Sequence, residues 1–272
     1  MPDFRSPPVV EVALSVHFDK LPGLGSVQIA SFWQQFRDRF PKTEEHPPLE
    51  PAFERFDVPP LRKRGAVRLE LIEKPPTPRF WFLNQPGTEL IQVQQDRIAH
   101  NWRKLATGAE YPRYERIRES FQSELNCFQE FIRNEGIGEF VPNQCDVTYV
   151  NHILWDELNH GEPDRLLTVF QRHFNDGFLP DPEDATIKMR FVIPDDQGKP
   201  AGRLHADLVP GYRNADGQPL FILTMTARGR PLGEGIEGAM AFLDRGREWV
   251  VRGFASLTTP EMHEKWGRQD GA

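Results

Sequence analysis

The sequence predicts an α+β protein built from two similar halves, each running strand, helix, antiparallel meander, helix, and three observations carry that prediction. Apolar residues alternate with polar ones in short runs throughout the chain. Two long segments place apolar residues at spacings of three and four. Gly, Pro, Asn and Asp punctuate what lies between. The halves divide at residue 140 (1–140 and 141–272) with a period of about 135 residues, too long for a solenoid. Each half alone would leave a sheet face open, so one cooperative unit is expected, with long helices covering antiparallel sheets.

In the first half, Val10, Val12, Leu14, Val16 and Phe18 alternate with Glu11, Ala13, Ser15 and His17, which predicts a half-buried strand after Pro7-Pro8. Ser26 is placed to cap a helix over 27–40, with Ile29, Phe32, Trp33, Phe36 and Phe40 on one face and Pro41 as its stop. Residues 41–65 read as a long loop with repeated prolines and the run Arg62-Lys63-Arg64. Strands are expected over 66–73, 79–83 and 89–95, with a turn at Asn84-Gln85-Pro86-Gly87. Asp96-Arg97 either turns into a further strand over 98–102 or carries the previous one on through a bulge. Tyr111-Pro112 opens a helix to about residue 134, striped by Tyr114, Ile117, Phe121, Leu125, Phe128 and Ile132 and closed by Gly136 and Gly138.

The second half repeats the order. A strand over 146–154 puts Val147, Tyr149 and Asn151 on one face, and Pro163 begins a shorter helix to 172. Strands over 186–193, 202–209 and 220–227 are separated by Asp195-Asp196-Gln197-Gly198 and Asn214-Ala215-Asp216-Gly217. A helix over 234–256 follows. Thr259 and Pro260 then open a tail helix whose Met262 and Trp266 can dock on the body or on a partner.

The formal charge is −7, concentrated in the second half, so a global basic field for wrapping nucleic acid is lacking. Cys127 and Cys145 form no CxxC and read as buried thiols of a reducing compartment. No apolar run nears the length of a membrane span, which points to the cytoplasm and excludes a membrane.

Most catalytic signatures are missing. The histidines show no HExxH or HxxxH spacing, there is no G-x-S-x-G elbow, and no cofactor or metal is expected. Gly229-Arg230-Pro231-Leu232-Gly233-Glu234-Gly235 lacks the Lys-Ser/Thr ending of a phosphate loop and reads as a strand-to-helix turn. His205-Ala206-Asp207 places two titratable groups on one strand face, within reach of Asp146 or His152 as an acid–base or metal site or as a plain hydrogen-bonded pair. The segment from Arg97 to Arg118 interleaves Arg97, Arg103, Lys104, Arg113, Arg116 and Arg118 with Trp102, Tyr111 and Tyr114. That composition suits phosphates and stacked bases, or a solvated helix face with core aromatics. A strand end at Asn101-Trp102-Arg103 followed by a helix start at Tyr111-Pro112-Arg113-Tyr114 gathers polar side chains, and Tyr149, Asn151 and His152 open the second half. The candidate binding residues are therefore Arg97, Asn101, Trp102, Arg103, Lys104, Tyr111, Arg113, Tyr114, Tyr149, Asn151 and His152.

Several of these strings sit in a wider pattern: Pro7-Pro8-Val9-Val10-Glu11-Val12, Asn101-Trp102-Arg103-Lys104, Tyr111-Pro112-Arg113-Tyr114-Glu115, Thr148-Tyr149-Val150-Asn151-His152-Ile153 and the tail from Leu257 to Gly267. Together, over nearly the whole chain, they resemble a sporadically distributed bacterial family without an assigned function. The resemblance implies a bacterial cytoplasmic protein and carries over no catalytic residue. A patchy distribution is typical of mobile, defence or toxin–antitoxin loci. The element order is also similar to the duplicated folds of the TATA-binding-protein type, an analogy of fold that licenses no DNA binding.

Three readings follow. The first is a binding or interaction protein with a protein partner, in which self-association stays open. The second is an enzyme or small-ligand binder whose groove between the halves collects Arg103, Arg113, Asn151 and His205. The third is nucleic-acid binding through Arg97 to Arg118.

Overall fold

Burial along the first long strand follows the predicted alternation, with Val12, Leu14, Val16 and Phe18 all essentially inaccessible. Three residues depart from it: Ser15 and His17, on the polar side of the alternation, are buried too, and Val10 is only partly covered. A bulge between Val9 and Glu11 takes Val10 out of register, so Val9 joins the core in its place. The computed structural model describes residues 1–56, 77–105, 110–158, 163–170 and 185–269, so the strand expected over 66–73 lies outside the described residues.

The strands are β1 (Asp3–Phe4), β2 (Val9–Phe18), β3 (Lys42–His46), β4 (Arg79–Leu83), β5 (Glu89–Gln94), β6 (Arg97–Arg103), β7 (Pro142–Leu154), β8 (Ile187–Pro194), β9 (Pro200–Tyr212), β10 (Pro219–Gly229) and β11 (Arg268–Gln269). The helices are α1 (Ser26–Trp33), α2 (Tyr114–Asn134), α3 (Pro163–Leu166), α4 (Gly235–Leu257) and α5 (Pro260–Lys265). The fold is α+β. Among the described residues nine strands form one antiparallel sheet in the order β3-β4-β5-β6-β2-β7-β10-β9-β8, while β1 and β11 pair separately. The two predicted halves meet where β2 pairs with β7.

Local chemistry accounts for the departures from expectation. Gly25, not Ser26, is the N-cap of α1, and the helix ends at Trp33. The amides of Gln34, Gln35 and Phe36 then bond three residues back, and Trp33 Nε1 donates to the Phe40 carbonyl at 2.8 Å, so Phe36 and Phe40 are still buried. The supposed loop after residue 41 contains β3, an edge strand of charged residues with no apolar alternation to betray it. Gln95-Asp96 is a turn, which makes β6 a separate strand.

Successive residues point to opposite sides of the sheet. One side carries Val93, Ile98, Val147, Leu204 and Met225 into a continuous core. On that side α2 packs against β6 and α4 against β7 and β10. A ring cluster of Phe18, Phe32, Phe128 and Phe140 links α1, α2 and β2. The tail docks on the body: Met262 and Trp266 are buried, and Trp266 stacks on Phe254 at 5.0 Å. Thr259 caps α5 by accepting from the Met262 amide. Cys145 is buried and Cys127 half-buried, both unpaired thiols. Among the described residues no helix is long and apolar enough to cross a membrane.

Candidate functional site

The Tyr-Pro-Arg-Tyr string becomes the entrance to α2. Arg113, its N-cap, holds φ +71° and ψ 156°, the one positive φ outside glycine among the described residues. Such a conformation costs about 1–3 kcal/mol and persists only where neighbours impose it. Here Arg113 Nη1 donates to Asp3 Oδ1 at 2.9 Å and to the Phe4 carbonyl at 3.3 Å, and its guanidinium lies 5.8 Å from the Tyr111 ring centre. Among the described residues no side chain caps the first turn of the helix.

Tyr111 leans on Trp102 of β6 (centroids 5.3 Å apart) and shares a 3.0 Å hydroxyl–hydroxyl hydrogen bond with Tyr149 of β7. Asn151, two residues along the same face, donates through Nδ2 to the Leu223 carbonyl. From α2, the Tyr114 hydroxyl donates to Asp244 of α4, which also receives two bonds from Arg118. One turn further along α4, the Arg247 guanidinium sits 5.2 Å from the Tyr114 ring centre. Its Nη2 donates to Glu115 at 3.2 Å and its Nη1 to the Met1 thioether at 2.9 Å. Arg247 Nε has no hydrogen-bond partner among the described residues.

Tyr111, Arg113, Tyr114, Tyr149, Asn151 and Arg247 line a cavity of about 370 Å³ that the N-terminal segment closes on one side, with Phe4, Val9, Val250 and Phe254 as apolar walls. Its volume is at the small end of the range for small-molecule sites. Burial pushes all three tyrosines up: Tyr111 is pushed further through Tyr149 and Tyr114 further through Asp244, while hydrogen bonds from Tyr111 and the nearby Arg247 act against the rise at Tyr149. The hydroxyls therefore stay protonated and serve as hydrogen-bond donors rather than bases.

Of the residues singled out from sequence, Tyr111, Arg113, Tyr114, Tyr149 and Asn151 line this cavity, and Trp102 supports Tyr111 from behind. The others do not converge on it. Arg97, Asn101 and Arg103 alternate with the core residues of β6 and His152 with those of β7, so they occupy the opposite face of the sheet. Lys104 follows the end of β6, exposed, its amide on the Val10 carbonyl. The groove expected to hold Arg103, Arg113, Asn151 and His205 thus contains Arg113 and Asn151 only. The Arg97-to-Arg118 segment likewise does not make one surface: its members divide between the two sides of the sheet. The sequence reading missed Arg247, whose partners lie 132 and 246 residues away, and the wall supplied by Met1 to Phe4.

Compared with protein-family models, curated proteins and solved structures, this chain matches none.

The polar face has its own network. Arg97 Nη2 donates to His17 Nδ1 at 3.2 Å, His17 Nε2 donates to Asp146 Oδ2 at 2.8 Å, and Arg228 Nε donates to Asp146 Oδ1 at 2.8 Å. Because arginine only donates, His17 must accept at Nδ1 and carry its proton at Nε2. Both ring nitrogens are thereby used, so the adjacent Ser15 gains no base and the set does not form a nucleophilic triad. Burial acts to raise the Asp146 carboxyl, but hydrogen bonds from His17 and Arg228 and the positive charge of Arg228 hold it below the usual aspartate range. His205 pairs with Glu54 at 2.6 Å while Asp207 faces Lys188, so the expected His205–Asp207 partnership does not form. Among the described residues no group of three or more His, Cys, Asp or Glu is arranged for a metal. The glycine-rich run before α4 packs closely on the helix start, where a Cβ at Gly238 in the first turn of α4 would sit 2.1 Å from the Gly233 carbonyl oxygen.

Proposed function

We propose that this protein is a binding protein for a small, partly apolar molecule with one acidic group, carboxylate or phosphate, held in the cavity between the N-terminal segment, α2, β7 and α4. The observation that carries this reading is Arg247. A half-buried guanidinium whose Nε has no partner among the described residues, whose Nη1 is spent on a thioether, a weak acceptor, and whose Nη2 meets Glu115 has donors left for an anion. The tyrosine hydroxyls and the uncapped start of α2 add neutral donors and a favourable dipole, and the Phe and Val walls suit an apolar body. The upward-shifted tyrosines, protonated donors rather than bases, favour binding over catalysis.

Thermal melting against a panel of aromatic and medium-chain carboxylates, each paired with its uncharged amide, tests this. An acid is expected to raise the midpoint where its amide does not, and Arg247→Met is expected to remove the difference. Equal shifts from acid and amide, or an effect that survives Arg247→Met, would sink the reading.

The finer architecture is part of the same proposal. From the β2/β7 seam the strands read outward as β6-β5-β4-β3 on one side and β10-β9-β8 on the other, which supports two fused β-α-β-α halves covered by α2 and α4. Residues 1–140 expressed alone are then expected to aggregate, since β2 would become an unprotected edge. A monomeric, cooperatively melting fragment would show that the halves are independent domains.

A further inference from the structure

Residues 47–56 leave β3 at one edge of the sheet and cross its polar face as a strap. The Leu49 amide donates to Gln94 Oε1 at 3.0 Å, and the Leu49 carbonyl accepts from Gln94 Nε2 at 3.0 Å. Gln144 repeats the arrangement, donating to the Ala52 carbonyl and accepting from the Glu54 amide at 3.2 Å. Glu54 ends the crossing between Arg203 Nη1 and His205 Nε2, both at 2.6 Å, with the Phe56 ring 4.3 Å from the Arg203 guanidinium carbon. Two buried glutamine amides thus read main-chain groups, and a single carboxylate is read by charge. Leu49 and Phe53 remain exposed, so the track is indifferent to most of the side chains it holds.

The strap does not satisfy the face that it covers. Ser15 Oγ, Arg79 Nε and Arg97 Nε are buried there without hydrogen-bond partners among the described residues, where buried polar atoms are normally paired. We infer that this face is a docking track for an extended, proline-containing acidic peptide of a partner protein, and that residues 47–56 are its built-in competitor. The partner's peptide presents a carboxylate to Arg203 and His205 five residues beyond its amide contact with Gln94, as Leu49 and Glu54 do, and supplies polar side chains to Ser15, Arg79 and Arg97. Pro47, Pro48 and Pro51 suit the role, since an extended proline-rich segment loses little entropy on docking. This site is separate from the cavity, and its failure would leave the ligand proposal intact.

The test titrates a fluorescein-labelled peptide of residues 46–56 into the full chain and into its Glu54→Ala variant, followed by anisotropy. Loss of the strap's charged anchor is expected to tighten peptide binding about 10- to 100-fold. Adding Gln94→Ala is expected to abolish binding. Equal affinity for the two chains, or no binding to the variant, overturns the proposal. Capture of labelled oligo-dT but not of the peptide overturns it as well, and assigns the face to a polyanion. Should Glu54→Ala not fold, hydrogen exchange at the Leu49 and Glu54 amides of the unaltered chain decides: excess peptide accelerates exchange if it displaces the strap, and unchanged exchange refutes displacement.

Discussion

The two faces of the nine-stranded sheet are made by alternate residues of the same strands, yet they are held together by different physics. On the helix side, Phe128 is fully buried among Phe18, Phe32 and Phe140, and its contribution is apolar burial and ring packing. On the polar side, Asp146 is almost as inaccessible, but its burial is tolerable only because His17 and Arg228 are both present. The first kind of burial is indifferent to pH and degrades with lost volume. The second is conditional, since each charge depends on its partner. That difference explains how one sheet carries an apolar-walled cavity on one side and a charged face on the other.

The largest expected effect is on the apolar side: Phe128→Ala should cost about 3–5 kcal/mol in urea unfolding, equally at pH 7 and pH 3. A marked pH dependence would break the contrast. Asp146→Asn should cost less, about 1–3 kcal/mol at pH 7. Its folded value lies below the ordinary aspartate value, so the carboxylate's contribution is complete above that value, about 3.9, and is lost as pH falls through the folded value. The gap between Asp146→Asn and the unaltered chain should therefore close in acid. A gap that persists well below the folded value would show that the side chain acts by shape rather than charge. The smallest effect sharpens the picture of the cavity. Tyr149→Phe leaves the Tyr111 hydroxyl without its partner and should cost about 1 kcal/mol, while weakening the melting shift given by an acidic ligand.

Elements whose burial follows a period were legible without coordinates. The stripe from Ile117 to Ile132 reflects one-sided burial, and the alternation from Val12 to Phe18 reflects an apolar and a polar face of one strand, both of which local spacing encodes. The edge strand β3 was not legible, because an exposed edge needs charges rather than an apolar pattern. Half of the cavity was readable, since Tyr111, Arg113 and Tyr114 are neighbours in sequence and Tyr149 and Asn151 share a strand face. What sequence could not supply was the pairing of distant segments: Arg247 with Glu115 and Met1, and His17 with Asp146 across 129 residues. The strap was hidden for a related reason. Its contacts are glutamine amides on main-chain groups, and no side-chain pattern in residues 47–56 announces them.

The clasp between β1 and β11 has a mechanical consequence. Asp3 faces Gln269 at its open end, followed by Phe4 opposite Arg268, then the Arg5–Gly267 and Ser6–Trp266 hydrogen bonds. Tension applied at residues 3 and 269 meets these bonds one at a time, as a zipper, rather than shearing them together. Phe4 then leaves its place beside Phe254 and Trp266, and the cavity loses a wall before the pull reaches β2. By this geometry the clasp is a fuse, so a modest force at residues 3 and 269 would open the cavity while the sheet remains whole.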